Sequence, residues 1–341
     1  MTRARVLTAL AAAAFLSACG SSAPEGGEVT FTVPAGASFS AVADTLSRRG
    51  LVSSPSLFKA FARIRGDDRR IRSGSYALAA GSSWGGILEA LTRGTVVTEA
   101  VTIPEGFRLT QIAERLAPIT GLPADSVLAR LQAPGVDSLV GVPGPGLEGY
   151  LFPDTYRFAP GVGVGTVVRT MVARYHAFWT PERRARLDSL GMSEQQVVTL
   201  ASIVQAEAQV SDEMPRIAAV YRNRLRRGML LQADPTVLYA LGGPRERLLY
   251  AAIDSVADDP YNTYRRRGLP PGPIGSPGEA ALDAALHPSD EPYLYFVARL
   301  DGTHVFSRTL AEHNRNVAEY HRRRDQQRRS RPSGDAPRGA R

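Results

Sequence analysis

The sequence has few of the residues that would identify several common classes of protein. Cys19 is the only cysteine among 341 residues, so no disulfide can form within the chain. The longest apolar run, residues 6–16, is shorter than the roughly 20 residues that a membrane-spanning helix needs. Lys59 is the only lysine, an arginine bias that reflects genome composition more than function. With 43% hydrophobic and 22% charged residues the chain is globular, and its length suits about two domains.

The formal net charge of +8 lies at the two ends of the chain. Arg3 and Arg5 contribute +2, and residues 322–341 contribute +6 through eight arginines against Asp325 and Asp335. The body between them is neutral. Because nucleic-acid binding needs a basic patch on the fold itself, no nucleic acid is an expected partner. The basic end, residues 322–341, has almost no apolar side chains and is expected to form a disordered tail.

The amino terminus has the pattern of an export signal. The apolar run follows two arginines and is too short to span a membrane, which is typical of a signal peptide. It ends in Leu16-Ser17-Ala18-Cys19-Gly20, which resembles a bacterial lipobox. We therefore expect a signal peptide over residues 1–18, lipidation of Cys19 and a linker over residues 19–27. The alternative is a plain secretory signal whose cleavage site contains a cysteine.

A short pattern occurs three times in the first third of the chain. A strand-like stretch leads to a glycine turn, and apolar residues at helical spacing follow the glycine. The glycines are Gly36, Gly81 and Gly106, and the preceding stretches are residues 29–33, 75–78 and 97–103. A further helix is expected from Ser54 to Ile64. The fold class is therefore α+β, with a small βααβ subdomain over residues 28–98 that resembles LysM domains, which bind glycans rich in N-acetylglucosamine.

A longer helix is expected to begin near residue 193. Ser193 and Gln196 have the spacing of a capping box, and no glycine or proline follows until after Val210. The apolar residues of this segment form one stripe, which Glu207 continues. A carboxyl group on a buried stripe needs a partner or a raised pKa, and a raised pKa suits a general acid. The alternative is an end-of-helix glutamate that turns to solvent or pairs with an arginine such as Arg216 or Arg222.

Several ordered motifs extend from residue 147 to residue 297. They are LEGYLFPDTY at 147–156, LASIVQAEA at 200–208, AAVYRNRL at 218–225, LQADPTVLY at 231–239, YNTY at 261–264, GLPPGPI at 268–274 and YLYFV at 293–297. Together they resemble the endolytic murein transglycosylase family, also called YceG-like, over roughly residues 28–320. The family joins a LysM-like subdomain to an α+β catalytic domain, here residues 99–321. It cleaves nascent peptidoglycan within the strand and sets glycan length near the synthesis machinery.

The resemblance implies a reaction without water, metal or cofactor. One glutamate protonates the oxygen leaving from the N-acetylmuramic acid to N-acetylglucosamine linkage, then accepts the proton of the muramic C6 hydroxyl, which closes on C1. Many relatives have two glutamates in this helix, whereas this chain has Gln205 and Glu207. Glu207 is therefore the candidate catalytic residue, and Gln205 lies about 200° around the helix from it.

Other polar residues of the motifs are candidates for binding the glycan, because they offer hydrogen bonds and aromatic faces. They are Gln232, Asp234, Thr236, Tyr261, Asn262, Thr263 and Tyr264. The alternative is turn chemistry, which suits Asp234-Pro235 and Asn262. Glu148 is a further candidate, which either lines the cleft or caps the following segment. His304 and His313 have no second ligand at zinc-like spacing, so no metal site is expected.

Two other functions are compatible with the sequence. The first is a hydrolytic muramidase, in which Asp234 or Glu148 is a second carboxylate that activates water. The second is a non-catalytic peptidoglycan-binding lipoprotein. In each case the expected partners are peptidoglycan strands and a membrane reached through the N-terminal anchor, with peptidoglycan synthases as candidate partners. The expected location is the cell membrane, with the catalytic domain on its extracytoplasmic side.

The lipobox-like segment generates a first prediction. Replacing the thiol in Cys19→Ser should leave an unprocessed precursor, because the oxygen of serine does not accept the lipid. Metabolic labelling with a fatty acid should mark the wild type alone. An intact and unlabelled amino terminus in the membrane fraction of wild-type cells would show that the anchor is not a lipid.

Overall fold

The computed structural model describes residues 28–94, 98–243, 245 and 248–330. The fold is α+β, as predicted. The chain divides after Glu99 into two compact units, each with an apolar core of its own. Within the described residues no helix is long and apolar enough to cross a membrane. The expected signal peptide, Cys19 and the linker lie outside the described residues.

The first unit has the predicted order of strands and helices. It consists of β1 (Glu28–Val33), α1 (Phe39–Arg48), α2 (Pro55–Arg65), β2 (Gly74–Ala79) and α3 (Trp84–Arg93). The serines before α1 and α3 cap them in the same way: Ser38 accepts a hydrogen bond from the backbone N–H of Ala41, and Ser83 accepts one from that of Gly86. The repeated pattern in the sequence therefore includes a repeated helix start.

The core of the first unit lies between the two-stranded sheet of β1 and β2 and its three helices. The two strands pair antiparallel, with Phe31 opposite Tyr76, and their rings stack at 5.7 Å. Leu46, Phe58 and Leu88, one from each helix, are fully buried. The hydroxyl of Tyr76 donates to the carbonyl of Arg72 at 2.6 Å, so this buried ring has a partner for its polar end.

The rest of the chain is mainly helical, with two small sheets. Its elements are β3 (Glu99–Thr102), α4 (Leu109–Thr120), α5 (Ala124–Leu131), α6 (Val136–Val140), β4 (Thr155–Phe158), α7 (Val164–Phe178), α8 (Pro181–Leu190), α9 (Glu194–Glu207), α10 (Met214–Arg226), α11 (Asp234–Ala240), α12 (Tyr250–Ser255), α13 (Glu279–Leu286), β5 (Tyr295–Ala298), β6 (His304–Ser307) and α14 (Leu310–Ser330). β3 pairs with β4, and β5 pairs antiparallel with β6. The third copy of the pattern is confirmed by β3 and α4, although residues 95–97 lie outside the described part.

The centre of the second unit is α9, which packs against α10 and α13. The predicted capping box is present: Ser193 accepts from the N–H of Gln196, whose side chain accepts from the N–H of Ser193. The prediction of a single buried stripe was wrong, since all eight residues from Val197 to Val204 are buried. Neighbouring segments cover α9 on all sides over this stretch, so the helix behaves as an interior helix.

The loop before α13 lies directly against α9. The backbone N–H of Ile274 donates to the hydroxyl of Ser202 at 3.1 Å, and that of Gly278 donates to the side chain of Gln205 at 3.0 Å. Gly275 lets this loop lie close to the loop before α4, because a Cβ at position 275 would lie 2.6 Å from the carbonyl oxygen of Gly106. The GLPPGPI motif therefore helps to bury α9.

The expected start of the disordered tail was wrong. Residues 322–330 continue α14, which ends at Ser330. Arg323 pairs with Glu319 one turn earlier, and the guanidinium of Arg324 lies 5.9 Å from the ring centre of Tyr320. These spacings, together with the helical propensity of arginine and glutamine, favour a helix without burial. Residues 331–341 lie outside the described part.

The two cores generate a matched prediction for the first unit. Leu88→Ala should lower its free energy of unfolding by about 2–5 kcal/mol, because Leu88 is fully buried and its removal leaves a cavity. The same substitution at Leu57, which is 63% exposed, should cost less than about 0.5 kcal/mol. Urea unfolding followed by circular dichroism measures both. Equal losses for the two variants would contradict the packing described here.

Candidate active site

Glu207 is the last residue of α9, where the helix leaves the protein interior. The next residue, Ala208, has an extended backbone, with φ −76° and ψ 125°. Glu207 is half-buried. The hydroxyl of Tyr221, a buried residue of α10, donates to Glu207 Oε1 at 2.6 Å. Glu207 Oε2 makes no hydrogen bond within the described residues, so one oxygen of the carboxyl is held by the protein and the other is available.

The surroundings raise the pKa of Glu207 from its ordinary value of 4.5 to about 7. Burial among protein atoms is the main cause, and the negative charge of Asp234 acts in the same direction. The hydrogen bond from Tyr221 and the positive charge of Arg224 oppose the shift. A carboxyl group in this environment holds its proton for about half of the time near neutral pH.

Glu207 opens onto a cavity of about 270 Å³. The other residues that line it are Tyr221, Arg224, Leu231, Gln232, Asp234, Tyr264, Phe296 and His313. Three of the predicted glycan-binding residues therefore lie together here: Gln232, Asp234 and Tyr264. Gln232 and Asp234 are exposed, and the hydroxyl of Tyr264 donates to the carboxylate of Asp234. Their polar groups can reach a molecule in the cavity.

The loop that carries Gln232 and Asp234 has an unusual backbone. Gln232 has φ +50°, and it is the one residue other than glycine with a positive φ among those that the structure describes. Its N–H donates to the carbonyl of Thr263 at 3.1 Å. A left-handed backbone at glutamine is strained, and the surrounding contacts hold it.

Three of the predicted glycan contacts were wrong, because the residues are buried and their polar atoms are already bonded. Thr263 accepts from the N–H of Ala233 at 3.0 Å, and its hydroxyl lies 2.9 Å from that of Thr236. Asn262 donates to the carbonyls of Ile253 and Val256. Thr236, Asn262 and Thr263 are at most 1% exposed. Thr236 and Thr263 hold the loop before α11 to the YNTY segment, and Asn262 holds that segment to α12, so the polar atoms of all three are used within the protein.

Glu148 and Tyr261 lie outside this cavity, in a second polar cluster. Glu148 accepts from the N–H of Leu109, the first residue of α4, at 3.2 Å, so it caps that helix and not the segment that follows it. Tyr239 donates to the other oxygen of Glu148 at 3.4 Å, and its ring lies 4.7 Å from that of Tyr261 at a tilt of 41°. The guanidinium of Arg108 lies over the Tyr239 ring. Burial raises the pKa of Glu148 to about 7, although the Leu109 N–H and Arg108 oppose the shift.

The structure adds five residues to the cavity that the sequence interpretation left without a role in the chemistry, of which Leu231 is apolar and directly precedes Gln232. Tyr221 and Arg224 are three positions apart, so they lie on one face of α10, and the motif that contains them was the available signal. Phe296 from β5 and His313 from α14 complete the wall. His313 stacks on Tyr295 at 5.3 Å, and burial lowers its pKa. Gln205 faces Gly278, away from the cavity, as predicted.

No group of three or more metal-ligating side chains that could hold a metal ion occurs in the described ranges. His304 instead bonds to Glu213: its ring Nδ1 lies 2.8 Å from the carboxylate, and its backbone N–H donates to the other oxygen at 3.0 Å. This pair joins β6 to the short 3₁₀ turn before α10.

The raised pKa of Glu207 makes stability depend on pH. Between about pH 4.5 and 7 the folded protein holds a proton on Glu207 that the unfolded chain has released, so the contribution of this residue to stability is lost as pH rises through that window. Glu207→Gln has no such proton. Its free energy of unfolding, measured in urea at a series of pH values, should fall less than that of the wild type between about pH 5 and 7.5. Parallel curves would show that Glu207 titrates normally.

Comparison with known proteins identifies relatives over most of the chain. The model of the YceG-like family matches residues 31–319. A protein of Bacillus subtilis named endolytic murein transglycosylase is 34% identical over 308 residues, which cover 86% of this chain and 84% of that protein. A protein of the same name from Streptococcus pneumoniae is 30% identical over 322 residues, which cover 86% of this chain but 58% of the longer relative.

The fold also has a relative among solved structures. A crystal structure of a YceG-like protein from Listeria monocytogenes aligns with 85% of this chain and 98% of that one, with a TM-score of 0.59 and 33% identity. That similarity covers both units described above. Because the family model matches most of the sequence, and proteins at 30% identity or more align over most of its length, the chain belongs to the YceG-like family.

Proposed function

We propose that this protein is an endolytic murein transglycosylase, a lyase that cleaves the N-acetylmuramic acid to N-acetylglucosamine bond within glycan strands and leaves 1,6-anhydromuramic ends. The observation that carries the proposal is the state of Glu207: a half-buried carboxyl group with a pKa of about 7, held by Tyr221 at the wall of an open cavity. Membership of a family whose named relatives are endolytic murein transglycosylases supports it.

Glu207 performs both proton transfers in this mechanism. In the protonated state, Oε2 donates its proton to the glycosidic oxygen as the bond to C1 of the muramic residue breaks, and the N-acetylglucosamine product leaves as an alcohol. Glu207 is then a carboxylate. Its Oε2 accepts the proton of the C6 hydroxyl while that oxygen bonds to C1, which restores the acid. A pKa near 7 suits both steps, because Glu207 must first release a proton and then accept one, and neither transfer should require much free energy near neutral pH.

Two neighbours stabilise the carboxylate stage. Tyr221 donates to Oε1 at 2.6 Å, and its own pKa is raised well above the ordinary value, so its hydroxyl stays protonated. Arg224 supplies a positive charge that favours ionised Glu207. Burial, in contrast, favours the neutral acid. The balance of these effects keeps both states of Glu207 accessible.

A hydrolytic muramidase is the second candidate because Asp234 lies in the same cavity. Hydrolysis needs a carboxylate that activates water, separate from the acid. Asp234 is the one carboxylate besides Glu207 among the described residues that line this cavity, and Tyr264 donates a hydrogen bond to it. Glu148 is not available for this role, since it caps α4 in a different cluster. The chemical form of the new glycan end distinguishes the two reactions.

The proposal extends to the remaining parts of the chain. Gln232, Asp234 and Tyr264 contact the glycan strand in the cavity. The first unit, whose element order β1-α1-α2-β2 resembles that of a LysM domain, also binds glycan. A lipid on Cys19 keeps the protein at the cell membrane, with the enzyme on the extracytoplasmic side. Peptidoglycan synthases are proposed partners, because their nascent strands are the substrate.

The proton-transfer role generates the main prediction. Glu207→Gln should lower the rate of cleavage of purified peptidoglycan at least about 100-fold while the fold is kept, because an amide of the same shape cannot donate and retrieve a proton. Mass spectrometry of the released fragments measures the rate and the product. The wild type should release 1,6-anhydro ends, and reducing ends in their place would assign the protein as a hydrolase.

Glu148→Gln is the matched control. It removes another half-buried carboxyl group with a pKa of about 7, but outside the cavity. Most of the cleavage activity should remain if this variant keeps its thermal stability. Activity of more than a few per cent in Glu207→Gln would exclude Glu207 from the proton transfer.

A further inference from the structure

Gln232 is held in a fixed position at the wall of the cavity by the residues on either side of it. Leu231 and Ala233 are fully buried, whereas Gln232 is exposed. The carbonyl of Leu231 accepts a hydrogen bond from Arg224 at 2.6 Å, and the N–H of Ala233 donates to the hydroxyl of Thr263 at 3.0 Å. The loop is therefore attached to the protein immediately before and after Gln232, so this side chain projects from a rigid backbone.

The backbone conformation of Gln232 lowers the stability of the fold. Its φ of +50° lies in the left-handed region, which glycine adopts without strain and which asparagine tolerates better than glutamine. A strained residue of this kind persists where the surrounding structure fixes it, and such residues are concentrated at functional sites. Because glycine would relieve the strain, the presence of glutamine indicates that position 232 is used for its side chain.

The side-chain amide of Gln232 is available to a molecule in the cavity. The hydrogen bonds among the described residues use the backbone N–H of Gln232 and leave its side-chain amide without a partner. It is the one amide side chain among the described residues that line the cavity with Glu207. An amide can bond to either edge of another amide, because it donates to the carbonyl or accepts from the N–H. A carboxylate such as Asp234 only accepts, and a guanidinium such as Arg224 only donates.

We propose that Gln232 determines specificity by binding the 2-acetamido group of the muramic residue whose glycosidic bond Glu207 cleaves. This inference rests on the proposed function for the identity of the strand. The acetamido group is carried by C2, which is bonded directly to C1, so the contact fixes the reacting carbon relative to Glu207. The group is present in nascent strands, because the stem peptide is attached through C3 and leaves C2 unchanged.

Four combinations of protein and ligand test the contact without cleavage. The Glu207→Gln protein, with and without Gln232→Ala, is titrated with a synthetic strand of alternating sugars that carries stem peptides. It is also titrated with the same strand after hydroxyl groups replace the muramic 2-acetamido groups. This replacement should weaken binding about three- to tenfold more in the protein that has Gln232 than in the Gln232→Ala protein, as expected for one uncharged hydrogen bond. Equal losses in the two proteins would overturn the proposal.

Two further strands identify the source of the amide. One has the hydroxyl replacement on its N-acetylglucosamine residues only, and the other lacks stem peptides. Gln232→Ala should weaken the binding of each as much as it weakens the binding of the complete strand. An effect that disappears with the first strand would assign the contact to the other sugar, and one that disappears with the second would assign it to a peptide amide. Either result would overturn the assignment to the muramic residue.

Glycine at position 232 separates the effect of the backbone from that of the side chain. Added to Glu207→Gln, Gln232→Gly should raise the midpoint of urea unfolding by about 0.2–0.5 M, because it relieves the strain. It should weaken binding of the complete strand as much as Gln232→Ala does. A midpoint that does not rise would show that position 232 is not strained and would overturn the argument for a retained side chain.

Gln132→Gly is the matched control. Gln132 is also exposed, but it lies outside the cavity and has an ordinary φ of −99°. Glycine should not raise the urea midpoint there, since it relieves no strain and adds freedom to the unfolded chain. Binding of the complete strand should match that of the Glu207→Gln protein. A loss of binding equal to that of Gln232→Gly would show that the effect is not specific to the cavity and would overturn the proposal.

The reaction and the contact are decided by different measurements. The glycan ends that the wild type releases decide between transglycosylase and hydrolase, whereas the binding losses are measured in proteins that lack Glu207. Release of 1,6-anhydro ends by the wild type, together with equal binding losses, would overturn the acetamido contact and leave the proposed function in place.

Discussion

The hydrogen bond from Tyr221 to Glu207 connects the two helices on which the site depends. Glu207 ends a helix whose middle is buried on all sides, so its carboxyl group lies between the protein interior and open space. Burial favours the protonated form of this group, and contact with water favours the ionised form. The Tyr221 hydroxyl at 2.6 Å and the nearby Arg224 offset part of the cost of ionisation, which leaves the pKa near 7. The remaining cavity residues are arranged around this group.

Buried polar groups hold the walls of the cavity in place. Thr263 holds the loop before α11 through the Ala233 N–H and the Thr236 hydroxyl, and this loop presents Gln232 and Asp234. Arg224 bonds to carbonyls of two separate segments, at Leu231 and Leu294. Each of these groups is costly to leave unbonded in the interior, so together they specify one arrangement of the loops.

Glu148 and Glu207 show why a raised pKa does not by itself identify a catalytic group. Burial raises both pKa values to about 7. Glu148 accepts from a helix N-terminus and from Tyr239, and Arg108 is its charged neighbour. Glu207 has one bonded oxygen and one available oxygen at a cavity wall. Location and access distinguish a group that stabilises a helix from one that can reach a substrate.

The sequence by itself determined the local features of this protein. Strand-like stretches predicted β1 and β2, and helical spacing predicted the helices after Gly36, Gly81 and Gly106. The capping box predicted the start of α9. These signals depend on neighbouring residues. It also identified Glu207 as the candidate acid, and the motifs identified the family. Helical propensity in the basic segment, however, was underestimated, since α14 extends to Ser330.

Only the tertiary structure decided which polar residues reach the cavity. Thr236, Asn262 and Thr263 belong to the same motifs as Asp234 and Tyr264, yet they are buried and bonded to the backbone or to each other. His313 joins the cavity from the last helix, and Glu148 turns to α4. Exposure and direction depend on segments far apart in the chain, such as the contact of α10 with the start of β5. The type of a polar residue determines which hydrogen bonds it can form, whereas packing determines its hydrogen-bond partner.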